Sequence, residues 1–175
     1  MEKIAIITGG NRGIGLGLAK TYHKNGYRVF SIARSQVEKI YAFEQFPCDL
    51  SSTQQLKYSF NQVFSQLDKN NVDTITLINN AGRLGEVNTA DNLRPEDIEN
   101  TIHLNLIAPL QLSSLFLSLS KDWNCKRNII NISSGAAITP YESWSMYCAS
   151  KSGLDMITNV LSKEQKEKAI ASSAP

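Results

Sequence analysis

Residues Lys3–Gly15 read KIAIITGGNRGIG. Lys3 to Thr8 is a short apolar run rich in β-branched residues, the pattern of a strand buried on both faces of a parallel sheet. It runs straight into Gly9, Gly10, Asn11, Arg12, Gly13, Ile14 and Gly15. A helical pattern follows through Leu16, Leu18, Ala19 and Tyr22 and stops at Asn25-Gly26. Strand, glycine loop and helix in that order form a phosphate cradle. Glycines let backbone approach a pyrophosphate, and the helix start offers free N–H groups and partial positive charge. The spacing is GxxxGxG, not the commoner GxGxxG. No Gly-Lys-Ser/Thr follows, which excludes a Walker loop.

The rest of the chain alternates in the same way. Arg28–Ala33 predicts a second strand that closes a βαβ unit. Where an NAD site usually places an acid, the chain has Ala33-Arg34-Ser35. Arg34 and Arg12 flank the position of an adenosine phosphate, and together they favour NADP through charge-assisted bonds to a 2′-phosphate. Gln45–Cys48 predicts a third strand ending at Asp49-Leu50. Ser51 or Ser52 then caps a helix to about Leu67. Thr74–Ile78 predicts a fourth strand that runs into Asn79-Asn80-Ala81-Gly82, ordinary turn chemistry placed where it would line a cofactor ribose. Pro95-Glu96-Asp97 opens a long helix that Pro109 should bend, with polar Asn105 inside an apolar stretch. Asn128–Ser133 predicts a fifth strand. A final helix carries Tyr147 and Lys151 to about Lys168, and residues 171–175 are expected to be a frayed tail on a single domain of residues 1–170. Strands alternating with helices imply a Rossmann-type, doubly wound α/β sheet, and such sheets bind ligands beyond the carboxyl ends of their strands.

Composition narrows the function. The 175 residues are 42% hydrophobic and 19% charged, which is globular composition for one domain. A net charge of +2 without a basic cluster argues against nucleic acid. No apolar run is counted at the roughly 18 residues of a membrane span. The start, MEKIAIITGG, enters a strand pattern and is read as lacking a signal peptide. Cys48, Cys125 and Cys148 lack metal spacing and fit a reducing cytoplasm, and His23 and His103, without helical pairing, read as surface or helix-packing residues rather than ligands.

The stretch Ser134–Lys151, SGAAITPYESWSMYCASK, holds the parts of a proton-transfer site. Tyr147 and Lys151 are spaced i, i+4 and share a helix face. A free phenol titrates near ~10, and a neighbouring ammonium favours its anion, which tunes it for acid–base work. Ser134 is placed to hydrogen-bond the oxygen that gains or loses the proton.

These motifs together resemble the short-chain dehydrogenase/reductase family: TGGNRGIG at Thr8–Gly15, Asp49, Asn79-Asn80-Ala81-Gly82, Asn105, Ser134 and Tyr147-Cys-Ala-Ser-Lys151. Within it, the region from NLIAPLQLSS to YCASKSG is similar to the sepiapterin reductase-like branch and to bacterial benzil reductases that form (S)-benzoin. The resemblance implies an NADPH-dependent reduction of a small apolar or aromatic ketone or diketone. Tyr147 would protonate the carbonyl oxygen, Lys151 would bond the nicotinamide ribose, Ser134 would polarise the carbonyl, and Asn105 would hold a relay water. Gly9, Asn11, Arg12, Gly13, Ile14 and Gly15 would hold the phosphates, and Arg34 the 2′-phosphate. Asp49 and Leu50 would sit at the adenine, with Asn80, Ala81 and Gly82 along the adenosine and ribose. Ala136, Tyr141, Trp144 and Leu84 are candidate substrate walls. The resemblance also implies a homodimer through the long fourth and fifth helices. The family normally continues beyond this final helix, so the fold is expected to be truncated at its carboxyl end, with the fifth strand as an exposed edge. A dinucleotide-binding module without turnover, acting as sensor or scaffold, is the alternative this leaves open.

Overall fold

A computed structural model describes residues 1–36, 43–165 and 170–173 of the chain. Its elements are β1 (Glu2–Thr8), α1 (Gly13–Lys24), β2 (Tyr27–Ala33), β3 (Glu44–Pro47), α2 (Thr53–Phe64), β4 (Val72–Asn79), α3 (Pro95–Ile102), α4 (Ala108–Leu119), β5 (Lys126–Asn131), α5 (Ser145–Gln165) and β6 (Ile170–Ser173). The strands form one sheet in the order β3-β2-β1-β4-β5-β6, and all five pairings are parallel. This is the doubly wound Rossmann arrangement read from the sequence.

The apolar strands are buried because helices cover both faces. On one face Ile4, Ile6, Phe30, Ile75 and Leu77 pack with Leu56 and Phe60 of α2 and Leu112 and Phe116 of α4. On the other, Ala5, Ile7, Val29 and Ile78 pack with Ala19 of α1. Local signals set the helix ends. Ser52 caps α2 by accepting the Gln55 N–H, and Pro95 occupies the first turn of α3 ahead of Glu96 and Asp97. Gly26 ends the turn after α1 at φ 79°.

Four expectations need correction. The helix bearing Pro109 departs from α geometry ahead of the proline, in a π turn over His103–Ile107, where Ala108 N–H reaches back to the His103 carbonyl. Pro109 has no N–H to give Asn105 four residues earlier, so the α ladder cannot continue there. Second, α2 ends at Phe64 rather than near Leu67. Third, Ile170–Ser173 is a strand paired with β5, so residues 171–173 are not frayed and β5 is not an edge. Residues 174–175 and the stretch 166–169 of the expected final helix lie outside the described residues. Fourth, Pro95–Leu119 is long and apolar enough by length and composition to cross a membrane. Its Ala108, Leu112 and Phe116 instead bury against the sheet and α2.

Candidate functional site: a groove at the strand ends

The connections leave β1 and β4 in opposite directions, so their carboxyl ends open a crevice. Thr8 and Asn80 stitch it together. The Thr8 hydroxyl accepts the backbone N–H groups of Asn80 and Ala81, each at 3.0 Å. The Asn80 amide donates to the Thr8 carbonyl at 2.9 Å and the Gly9 carbonyl at 3.4 Å. Gly15 lies against this crossing: a Cβ there would stand 2.2 Å from the Gly9 oxygen and 2.4 Å from Asn80 Nδ2. Gly13 differs. It has φ +51° and open space where a Cβ would be.

Outside this crossing lies a groove of about 620 Å³. It is lined by Gly9, Asn11, Arg12, Gly13, Ile14, Gly15, Arg34, Asp49, Leu50, Asn80, Ala81 and Gly82, so every expected cofactor residue except Tyr147 and Lys151 meets there. The start of α1 has no acid in its first turn and no side-chain cap from Arg12, which leaves its N–H groups and partial positive charge for an anion. Asn11 donates to the Ser35 hydroxyl at 2.6 Å and joins the glycine loop to the end of β2. Arg12 and Arg34 are both solvent-facing on this rim. Asp49 accepts the hydroxyl and the backbone N–H of Ser51 at 2.7 and 3.0 Å. Those bonds hold its carboxyl below the usual range, with Arg34 and His103 adding to the effect. Backbone donors, two arginines and an open glycine fit the phosphates of a dinucleotide.

The groove stops short of the residues expected to transfer the proton. Tyr147, Lys151, Ser134 and Asn105 do not line it, but Gly82 connects them to it. A Cβ on Gly82 would be 3.3 Å from Asn105 Oδ1 and 3.8 Å from Lys151 Nζ. Lys151 is 5% exposed and donates to the Ile132 carbonyl at 2.7 Å. Burial pushes its pKa down, and the Asp155 carboxylate opposes that. Its Nζ lies 5.8 Å from the centroid of the Tyr147 ring, so the two groups share one helix face as the spacing requires. Ser134 begins a short 3-10 turn, Gly135–Ala137, and its hydroxyl accepts the Ala136 N–H at 3.2 Å. Ser152 of α5 holds that turn through the Ala137 carbonyl at 2.6 Å. The buried Asn105 clamps the loop after Gly82. Its Oδ1 accepts the Arg83 N–H at 2.9 Å, and its amide donates to the Arg83 carbonyl at 2.8 Å and Ser150 Oγ at 3.0 Å. Ala136 is only 3% exposed and offers little surface as a substrate wall.

A family model described as "short chain dehydrogenase" matches residues 3–174. The chain belongs to the short-chain dehydrogenase family. It is 34% identical to the benzil reductase ((S)-benzoin forming) of Bacillus subtilis over 166 residues, covering 94% of this chain and 68% of the relative. It is 30% identical to the sepiapterin reductase of Xenopus laevis over 190 residues, covering 98% of this chain and 72% of the relative. Among solved structures, a metagenomic short-chain oxidoreductase in complex with NADP superposes with a TM-score of 0.88 at 29% identity, covering 98% of this chain and 80% of that one. A 4-hydroxyisoleucine dehydrogenase complexed with NADH gives 0.88 at 25% identity, covering 99% and 74%. The family places an NAD(P)-type oxidoreductase scaffold here, and the two neighbours are complexes with NADP and with NADH.

Sequence reasoning missed several parts of this short-chain dehydrogenase site. Arg83 lines the groove, and its guanidinium donates to the buried Asp97, which also accepts the Glu86 N–H at 2.6 Å. Asn100 and Leu104 reach the groove from α3 and the π turn, and Cys48 from the end of β3, where burial pushes its thiol up. The i, i+4 spacing of Asn100 and Leu104 was a usable signal; the Asp97 contact, set by folding of the loop, had none. Among the described residues no group of three or more His, Cys, Asp or Glu is placed to hold a metal ion.

Proposed function

We propose that the protein is an NADPH-dependent carbonyl reductase acting on a small apolar or aromatic ketone or diketone of the benzil type. The observation that carries this reading is the juxtaposition at Gly82. There the dinucleotide-shaped groove ends against Lys151, and Lys151 faces Tyr147. A reduced nicotinamide held in the groove would supply a hydride to the carbonyl carbon. Tyr147 donates its phenolic proton to the carbonyl oxygen as charge builds there. Lys151 meets the charge left on the phenol, its own position set by the Ile132 carbonyl. Ser134 hydrogen-bonds the carbonyl oxygen. The Asn105 side chain is spent on Arg83 and Ser150, so its part in a water relay falls to its main-chain carbonyl, which Pro109 cannot engage. Arg12 and Arg34 select the 2′-phosphate, since no acid stands at the end of β2 to hold a ribose hydroxyl.

Leu84, Tyr141 and Trp144 supply apolar surface on the substrate side. The benzil reductases among the relatives support an aromatic diketone, and the free cysteines suit a reducing cytoplasm. Ile107, Leu110, Met156 and Val160 are 41–62% exposed on the long helices and would form the face of a homodimer. The test is loss of NADPH absorbance with benzil. Wild type turns over, and Tyr147→Phe falls by about 100-fold or more, the range of a lost general acid. Equal rates would remove Tyr147 from the reaction. NADPH binding without turnover of any carbonyl would favour the non-catalytic binding module.

A further inference from the structure

Lys151 places a charge beside Tyr147 but does not by itself fix the direction of the phenol. A cation near a ring attracts it from many orientations, whereas proton transfer needs one. The directional contact comes from Trp144. Trp144 meets Tyr147 edge to face, with centroids 5.8 Å apart and planes at 85°. Tyr141 also packs on Trp144, with centroids at 5.0 Å and planes at 37°. Edge-to-face contacts have a preferred geometry because a positive ring edge meets a negative ring face.

The backbone that carries the indole is itself held. The Trp144 backbone N–H donates to the Tyr141 carbonyl at 3.2 Å, and the Trp144 backbone carbonyl accepts the Cys148 N–H at 2.8 Å. The preceding Ser143 has φ +67°, the sole positive value among described non-glycine residues. A serine held there signals a conformation imposed by its surroundings. Its carbonyl accepts the Asn88 N–H at 3.2 Å. That bond ties the aromatic turn to the loop that Asp97 anchors through Arg83 and Glu86. The bracing thus runs from α3 through the loop and the strained turn to the Trp144 backbone, and the indole it carries meets the phenol.

We propose that Trp144 is a positioning residue for Tyr147, orienting the phenol for proton transfer rather than only walling the substrate. This rests on the reading of Tyr147 as the general acid. The experiment compares Trp144→Leu and Trp144→Phe with wild type, using NADPH and benzil. Trp144→Leu lowers kcat by about tenfold or more while NADPH affinity is unchanged, as expected for a misaimed proton donor. Trp144→Phe, which keeps an aromatic edge, recovers most of it. A loss confined to KM for benzil, or equal kcat in Trp144→Leu and wild type, overturns the proposal.

A second readout needs no turnover. In protein with isotope-labelled tyrosine rings, the Tyr147 signal is assigned by its loss in Tyr147→Phe. The indole displaces it from the range of the other tyrosines. Trp144→Leu returns it to that range and Trp144→Phe does not. A Tyr147 signal unmoved by Trp144→Leu overturns the orienting role. If wild type leaves benzil unreduced, the carbonyl-reductase reading fails, and the ring signal still decides whether Trp144 orients Tyr147.

Discussion

Replacing Gly15 by alanine tests the crossing that shapes the groove. The added methyl would stand 2.2 Å from the Gly9 carbonyl oxygen, 2.8 Å from its carbon and 2.4 Å from Asn80 Nδ2. Two of those atoms are backbone, so nothing flexible can swing away. Either the glycine loop or the β4 loop must move by on the order of 1 Å. Overpacking of this kind costs about 1–3 kcal/mol, and a strained Asn80 bond to Thr8 or Gly9 adds about 1, for a total of about 2–4 kcal/mol. For a chain of this size that lowers Tm by roughly 5–15 °C. Gly17→Ala is the control on the same helix. Gly17 has open space around its Cβ position, so alanine there stabilises by about 0.5–1 kcal/mol through helix propensity. Urea unfolding of both variants gives the comparison, with NADPH titration alongside. Gly15→Ala should also weaken NADPH, since the displaced loop carries the phosphate donors. A Gly15→Ala protein as stable as wild type would refute the close crossing of β1 and β4.

Three further outcomes follow from the same geometry. Arg34→Ala should weaken NADPH by about 10- to 100-fold, the loss of a bond to a charged group of about 1.5–3 kcal/mol, while NADH changes little; equal effects on both, read by calorimetry, would remove Arg34 from cofactor choice. Lys151 has a depressed pKa in the fold, so the wild type should gain stability as pH rises through that value toward 10.5, and Lys151→Met should lack this gain. Parallel unfolding curves for the two proteins across that window would refute the buried-ammonium account. Leu110→Glu with Met156→Glu should convert a dimer to monomers in light scattering, because both side chains are exposed and apolar on the long helices; an unchanged mass would exclude that face.

What was legible in the sequence was local. KIAIIT followed by spaced glycines determines β1, the loop and α1, because burial period and φ freedom are properties of a few adjacent residues. The same holds for Ser52, Pro95 and the Tyr147–Lys151 spacing. Tertiary hydrogen bonding was not legible. Asn80 and Asn105 read as ligand-facing amides, yet their side chains bond the backbone of Thr8, Gly9 and Arg83, 22 to 72 positions away. Pro109 announced a bend in the helix, but not that the turn ahead of it would widen. Strand β6 has too few residues to show a period, and its pairing depends on β5.

This division says what the site requires of the fold. Two amides that look chemical are spent on joining loops, and the groups left for the proposed proton transfer are few: the Tyr147 phenol, the Lys151 ammonium and the Ser134 hydroxyl. Asn105 illustrates the logic. A buried amide in the interior of a helix is costly unless every polar atom is paired. Here Oδ1 and Nδ2 bond both backbone groups of Arg83, so the loop bearing Gly82 is pinned to the widened turn. Ser150, one residue before Lys151, bonds the same amide and ties α5 to that turn. Asn105→Ala would therefore release the loop and α5 together, loosening both the end of the groove and the seat of Lys151. The amide acts through placement: it holds the end of the groove against Lys151, and the proton transfer proposed for Tyr147 would depend on that distance.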